Sequence, residues 1–221
     1  MMEQSTGKFL DMSAFNVAIA NTYNRFFSKK QGGRESFFMA SQEGIHWMNY
    51  THNPPQWNAK LIGEGVPESY GRHGNGGMEM GKAPGDDAAY LIGYGPFHGD
   101  RVYAYTKKVT DPESVEWVQH LLDIYGSPQQ NNPVQDPPEI GTGPCHYVAT
   151  ADFDGDGVDE CLIALMGPNP AGKGIYYYKP VDLANGIFTK YHVATESASK
   201  IAVAYVHQSA RLSNANETGE Q

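Results

Sequence analysis

The sequence is poor in positive charge and in long apolar segments. Its apolar runs fall far short of the roughly 18 residues that a membrane-spanning helix needs, so we expect no membrane contact. Sixteen Lys and Arg residues stand against 25 Asp and Glu residues, which gives a formal charge of −9 over 221 residues. Nucleic-acid phosphates are bound mainly by Lys and Arg. Because no basic cluster stands out, nucleic acid is excluded as the main partner.

The first thirty residues lack the apolar core of a signal peptide. Lys8, Asp11, Arg25, Lys29 and Lys30 interrupt this segment, whereas a secretory signal carries an unbroken apolar stretch of about 7 to 15 residues. The absence of such a stretch favours a cytoplasmic location.

Cysteine is scarce, since Cys145 and Cys161 are the two in the chain. They flank one predicted strand and its turn at opposite ends. A strand of about seven residues separates its ends by roughly 20 Å, and a disulfide requires Cα atoms within about 7 Å. We therefore expect two free thiols, which fits a reducing compartment.

Helical periodicity is also scarce, and turn residues and aromatics are abundant. The chain holds 25 Gly, 14 Pro, 14 Tyr and 9 Phe. Only Glu113–Ile124 would suit a helix, and its Val and Trp residues suit a strand equally well. Short β-type runs separated by Gly and Pro are typical of an all-β fold.

The predicted strands fall into groups of four, and the groups resemble one another. Each third strand is aromatic (IHWMNY, RVYAYT, GIYYYK), and each second strand leads into a turn that contains Gly. The strands are Asn16–Ala20, Ser36–Ala40, Ile45–Tyr50 and Lys60–Gly63; then Gly77–Lys82, Ala88–Tyr94, Arg101–Thr106 and Trp117–Asp123; then Tyr147–Asp152, Cys161–Met166, Gly174–Lys179 and Phe188–Val193; and finally Lys200–Tyr205. Repeated four-stranded units predict the blades of a β-propeller; a β-sandwich is the alternative.

The prediction is a partial β-propeller of about three blades plus one extra strand. The blades cover about 14–63, 76–123 and 146–194, a fourth begins at 200–208, and a polar tail follows at 209–221. Closed propellers have about four to eight blades, and an incomplete ring leaves strand edges and faces uncovered. We therefore expect the chain to be part of a larger propeller.

The most specific local motif is the acidic segment Asp152–Glu160, DFDGDGVDE. Oxygen ligands at alternate positions can wrap a hard cation, and glycines permit the tight turn that this needs. The expected ligands of a structural Ca²⁺ or Mg²⁺ are the side chains of Asp152, Asp154, Asp156 and Glu160 and the carbonyl of Val158. Asp159 is out of phase and is expected to face solvent. An acidic turn without metal is the alternative.

Three histidines are predicted to share one face of the propeller. The starts of innermost strands and the loops between second and third strands lie on the same face, which places His73, His98 and His146 together. The acidic segment would lie on the opposite face. Because imidazoles bind zinc and exchange protons near neutral pH, His98 and His146 are candidate catalytic residues, His146 is a possible zinc ligand, and His73 is a candidate substrate contact. A solvated surface role is the alternative for each.

Several ordered segments between Trp47 and Tyr205 resemble a known enzyme family. The segments are Lys60–Glu68, Phe97–Gly99, Val102–Lys107, Ala151–Glu160, Ala164–Gly167 and Ile201–Ala204. Together they resemble the propeller of the fungal aldos-2-ulose (1,5-anhydro-D-fructose) dehydratases, and the acidic segment looks like the calcium loop of FG-GAP-type propeller repeats. The resemblance implies a seven-bladed propeller followed by cupin domains in the full protein.

The resemblance also implies a function. The family is a group of metal-dependent lyases that remove water from keto sugars, namely aldos-2-uloses or 1,5-anhydro-D-fructose, with zinc in the reaction and structural divalent ions elsewhere. This chain would be a fragment or a truncated homologue of such an enzyme, which further blades and cupin domains or a second copy would complete. The alternative is a non-catalytic, metal-stabilised propeller module that binds carbohydrate or protein.

Overall fold

The computed structural model describes residues 36–66, 74–95, 99–111, 114–125, 144–167 and 172–204. These ranges contain strands and no α-helix, and accordingly no helix in them could cross a membrane. The predicted first strand, Asn16–Ala20, lies outside the described residues, as do His73, His98 and the polar tail at 209–221. The predicted domain limits, 1–208 and 209–221, therefore stay predictions.

Eleven strands form three antiparallel sheets in the described residues, each built from strands that follow one another along the chain. Sheet 1 is β1 (Ser36–Ala40), β2 (Gly44–His52) and β3 (Pro55–Glu64); sheet 2 is β4 (Gly77–Ala83), β5 (Asp86–Gly95), β6 (Arg101–Asp111) and β7 (Ser114–Ile124); sheet 3 is β8 (Cys145–Ala151), β9 (Glu160–Met166), β10 (Lys173–Asp182) and β11 (Ile187–Ala194). The all-β, partial-propeller prediction is confirmed. The ambiguous segment near Trp117 is strand β7, because it pairs with β6 along its length.

The predicted opening strand of a fourth blade, Lys200–Tyr205, is not formed over its described part, 200–204. A strand needs a neighbour to accept and donate its backbone hydrogen bonds, and no described strand pairs with this segment. The chain instead passes over the end of sheet 3, where the Ala198 amide donates to the Leu165 carbonyl at 3.0 Å. The prediction was wrong because a β-type composition does not supply a pairing partner.

Two apolar cores lie between the sheets. The core between sheets 1 and 2 contains Phe38, Ala40, Ile45, Ile62, Met78, Met80, Leu91 and Tyr105. The core between sheets 2 and 3 contains Ala89, Tyr90, Ile92, Tyr94, Val102, Tyr125, Cys145, Val148, Cys161, Ile163, Leu165 and Tyr178. Each fully buried large side chain contributes about 1.5 to 3 kcal/mol, so face-to-face packing of successive sheets is the main source of stability.

The two cysteines belong to the core between sheets 2 and 3. Both are free and fully buried, as expected from their positions in the sequence. Burial raises the pKa of both thiols, so each stays protonated at neutral pH. A protonated and inaccessible thiol is a poor nucleophile, and these cysteines therefore act as small apolar core residues.

Hydrogen bonds fix how sheets 2 and 3 are aligned against each other. The Tyr90 hydroxyl donates to the Asp159 carbonyl at 2.5 Å, and the Tyr94 hydroxyl donates to the His146 carbonyl at 2.8 Å. Asp159 also exchanges backbone contacts with Lys82: its amide donates to the Lys82 carbonyl at 2.9 Å, and its carboxylate accepts from the Lys82 amide at 3.1 Å. Asp159 is therefore buried between the sheets, and the expectation that it faces solvent was wrong.

A second polar cluster joins the outer strands of the same two sheets. The Tyr125 and Tyr178 hydroxyls are 2.5 Å apart, and Tyr178 also donates to the Asp123 carboxylate at 3.1 Å. The Lys190 ammonium forms an ion pair with Asp123 and lies 4.4 Å from the centre of the Tyr125 ring. Because these groups satisfy one another, the tyrosine hydroxyls are buried without an unpaired donor.

Within the described residues, the second face of sheet 3 is not covered by another sheet. On β11, Phe188 and Lys190 face sheet 2. Since side chains alternate along a strand, Tyr191 and Val193 point the other way, and they are 55% and 58% exposed. The equivalent face of sheet 2 is covered by sheet 3. The open face of sheet 3 is thus an apolar surface to which a further sheet could pack.

We expect Asp159→Ala to lower the free energy of unfolding by about 1 to 3 kcal/mol, because it removes the carboxylate acceptor of the Lys82 amide and with it a charge-assisted hydrogen bond between two sheets. Urea unfolding of the purified chain in a metal chelator measures this. The control is Asp87→Ala, which removes an exposed carboxylate from β5 and should change the free energy by less than about 0.5 kcal/mol. Equal effects of the two substitutions would contradict the buried role of Asp159.

Candidate functional site

The loop between β8 and β9 is shaped by its own aspartates and glycines. Gly155 and Gly157 have φ values of 81° and 90°, a region that side-chain-bearing residues rarely adopt. The two Asp152 oxygens accept from the Gly155 and Gly157 amides at 2.7 and 3.0 Å. The Asp156 carboxylate accepts from the Val158 amide at 2.9 Å. These bonds fold residues 152–158 into a compact turn that brings alternate side chains to one side.

Four carboxylates converge inside this turn. Asp152, Asp154, Asp156 and Glu160 each offer one oxygen, and these oxygens lie within 4.8 Å of one another. Glu160 is fully buried at the base of the loop, while Asp154 and Asp156 are exposed at its mouth. The four side chains expected at this site are thus brought together, and Val158 lies in the same turn. Carboxylates alone do not identify a ligand.

A lysine that the sequence analysis missed reaches into the same loop. The Lys179 ammonium forms ion pairs with Asp154, with Asp156 at 2.7 Å and with Glu160 at 3.3 Å. Hydrogen bonding to Lys179 lowers the pKa of Asp156, whereas burial raises the pKa of Glu160 despite its bond from the Phe153 amide. Strand register could have revealed this lysine, because Tyr178 pairs with Cys161 and so places Lys179 beside Glu160.

His146 lies at the opposite end of β8 from the acidic loop, as predicted. Its ring Nδ1 is 2.7 Å from the Ser199 carbonyl. A carbonyl only accepts hydrogen bonds, so Nδ1 carries a proton and Nε2 carries the lone pair when the imidazole is neutral. The main chain at this residue is fixed by the Tyr94 hydroxyl. The ring is therefore oriented from a segment, residues 195–200, that no sequence motif had connected with it.

The predicted meeting of three histidines stays a prediction. His73 and His98 lie outside the described residues. Within the described ranges the acidic loop is the one group of three or more His, Cys, Asp or Glu side chains suited to a metal, so His146 is not accompanied there by two further ligands.

Two further histidines of the described chain, His46 and His120, have structural contacts. His46 is buried beside Ser41, with Nδ1 3.4 Å from the hydroxyl; burial lowers the pKa of His46, and Glu43 opposes that shift. His120 Nε2 lies 2.9 Å from the Thr106 hydroxyl. Both imidazoles are therefore held by neighbouring hydroxyl groups.

The aromatic third strands mostly pack between sheets. Tyr105 is buried in the core between sheets 1 and 2, and Trp47 packs against that core. Tyr178 is buried in the core between sheets 2 and 3. Tyr177 differs, since it lies on the open face of sheet 3 against Tyr191, with ring centres 5.9 Å apart.

Comparison with known proteins finds sequences that are similar to these sheets. Residues 14–108 match the family model described as the β-propeller domain of aldos-2-ulose dehydratase. Aldos-2-ulose dehydratase of Phanerodontia chrysosporium is 34% identical over an alignment of 181 residues that covers 78% of this chain and 19% of that protein. The chain thus spans about a fifth of the length of this relative. In its propeller sheets, the chain is therefore similar to the β-propeller of aldos-2-ulose dehydratase.

Proposed function

We propose that this chain forms part of the propeller of a dehydratase that removes water from a keto sugar. The observation that carries the proposal is the 34% identity with aldos-2-ulose dehydratase. The placement of His146 at the start of an innermost strand supports it, because the exposed rim of a propeller collects loops from several blades and suits a small ligand.

The reaction would be an elimination next to a carbonyl group. A base takes the proton from the carbon beside the carbonyl, the electron pair forms a carbon–carbon double bond, and the hydroxyl on the next carbon leaves as water after an acid protonates it. His146 suits the proton-accepting step, because the Ser199 carbonyl holds its Nδ1 proton and directs the Nε2 lone pair away from that contact. His98, from the Phe97–Gly99 turn, is the proposed second acid–base group.

We expect His146→Gln to lower the dehydration rate by about 10²-fold or more, the usual contribution of general acid–base catalysis. The assay follows the ultraviolet absorbance of the conjugated enone formed from 1,5-anhydro-D-fructose. The assay uses the full chain. If the chain is part of a longer protein, that longer protein is assayed.

The matched control for this assay is His52→Gln, since His52 is exposed at the far end of β2 and should keep full activity. Unchanged activity of His146→Gln would contradict the assigned role. A chain that binds sugar with equal affinity in both variants, and eliminates no water, would instead support the non-catalytic binding module.

We further propose that the acidic loop holds a structural Ca²⁺ or Mg²⁺. Ca²⁺ takes oxygen ligands at about 2.3 to 2.6 Å, so oxygens around one ion lie up to about 5 Å apart. The four carboxylate oxygens, all within 4.8 Å of one another, fit that dimension, and the loop carbonyl of Val158 could complete the set. When bound, the ion would neutralise the carboxylates and order the turn, with no part in the elimination itself.

Calcium is expected to raise the melting temperature of the chain, because a ligand that binds only the folded state stabilises it by mass action. At a calcium concentration about 100 times the dissociation constant, the gain is about 2.7 kcal/mol. Differential scanning fluorimetry with calcium or chelator measures this shift. Asp154→Ala should abolish most of the shift and Asp87→Ala should preserve it, while an equal shift in both variants would count against this loop.

The open face of sheet 3 supports the proposal that the chain works beside further sheets. In a longer protein the next blade would cover Tyr191 and Val193, whereas a purified chain can use only a second copy. We expect light scattering to give a mass above the 24.3 kDa of one chain, and the double substitution Tyr191→Lys with Val193→Lys to return it to one chain. A wild-type chain that is folded by circular dichroism and monomeric would contradict this expectation.

A further inference from the structure

We propose that Lys179 is the resident cation of the acidic loop: it neutralises the carboxylates when no divalent ion is present and leaves when one binds. The inference rests on the proposed calcium or magnesium site and adds its regulation. Under this inference, Lys179 controls how tightly the acidic loop binds a metal ion, although it lies on a strand outside that loop.

The contacts of Lys179 place its ammonium where a metal would have to bind. It forms ion pairs with Asp154, with Asp156 at 2.7 Å and with Glu160 at 3.3 Å. These are three of the four carboxylates whose oxygens converge within 4.8 Å. A divalent ion coordinated by the same oxygens would lie within a few ångströms of the ammonium, and two positive charges at that distance repel each other strongly. One cation therefore excludes the other.

The fourth carboxylate explains why the loop can keep its shape while the cation changes. Both Asp152 oxygens accept backbone amides, from Gly155 and Gly157, and Asp152 is not among the ion-pair partners of Lys179. The backbone of the turn is thus held by Asp152, independently of the lysine. Exchange of one cation for another needs a rearrangement of side chains and not a refolding of the loop.

Lys179 can also leave without disturbing the core. Its side chain is 30% exposed, and it lies on β10 between Tyr178 and Pro180, whose backbones pair with the adjacent strands. Rotation about its side-chain bonds moves the ammonium into solvent while the strand stays in place. Glu160, fully buried at the base of the loop, cannot move in the same way. It would keep the position of a metal ligand after the lysine has gone.

This competition has a measurable consequence for metal affinity. If the metal-accepting arrangement is only a fraction of the population, the apparent affinity falls by that fraction. Removal of the ammonium should therefore tighten metal binding, although it removes favourable ion pairs from the metal-free chain. A merely structural surface lysine would give the opposite result or no change.

The test is isothermal titration of CaCl₂ into the purified, chelator-stripped full chain and its variants. We expect Lys179→Met to bind calcium at least about tenfold more tightly than the wild type. Lys179→Arg, which keeps the charge, should bind as weakly as the wild type. Lys173→Met is the matched control, since Lys173 begins the same strand, and it should leave the affinity unchanged. Circular dichroism checks that each variant is folded, with Lys179→Gln as the replacement if Lys179→Met is not.

The outcomes separate this inference from the proposed metal site. Tighter binding by Lys179→Met alone, with measurable binding by the wild type, supports both. Binding by Lys179→Met without binding by the wild type supports the resident lysine and overturns the metal site in the natural chain. Equal binding by wild type, Lys179→Met and Lys179→Arg overturns the resident lysine and leaves the metal site standing. Absence of binding in every folded variant overturns both.

Discussion

The packing of one sheet face against the next is the constraint on which the rest of this structure depends. A single antiparallel sheet cannot bury an apolar face by itself. Sheet 2 is covered on both sides, by sheet 1 and by sheet 3, and its central residues Leu91 and Ile92 are fully buried in opposite cores. Among the strands that the structure describes, only one face of sheet 3 packs against another sheet. The packed face stabilises the sheet, and the exposed apolar face creates its need for a partner.

The sequence predicts the strands well because their signals are local. Alternating β-branched and aromatic residues, interrupted by Gly-containing turns, mark strands such as β5 and β9 within one or two residues, and the four-strand rhythm predicts the propeller. The ambiguous region around Trp117 needed the structure, because helix and strand patterns overlap there and pairing with β6 decided the matter. The strand expected at Lys200 failed for the converse reason, since a strand depends on a partner that local composition does not describe.

In the acidic loop, too, the local features could be predicted from the sequence and the contacts with distant residues could not. Its spacing of aspartates and glycines predicts which side chains converge, because the turn is built from its own residues. The roles of Asp159 and Lys179 were not predicted, since both depend on contacts made across strands or sheets. Asp159 reaches the Lys82 backbone of another sheet, and Lys179 reaches the loop through the register of β10 with β9. The contact between His146 and the Ser199 carbonyl was likewise not predictable, because the two residues are 53 positions apart in the chain.

Two tyrosines of one strand determine how sheets 2 and 3 can move relative to each other. Tyr90 and Tyr94 project from the same side of β5, one toward the carbonyl of Asp159 and the other toward the carbonyl of His146. The Asp159 carbonyl directly precedes β9 and the His146 carbonyl lies near the start of β8, and the four-residue spacing of the two tyrosines along β5 separates the contacts by about 14 Å. A contact at one end would act as a pivot and allow rotation, but contacts at both ends resist shear as well. The rim that carries His146 and the loop that carries the acidic cluster are therefore parts of one mechanically rigid unit.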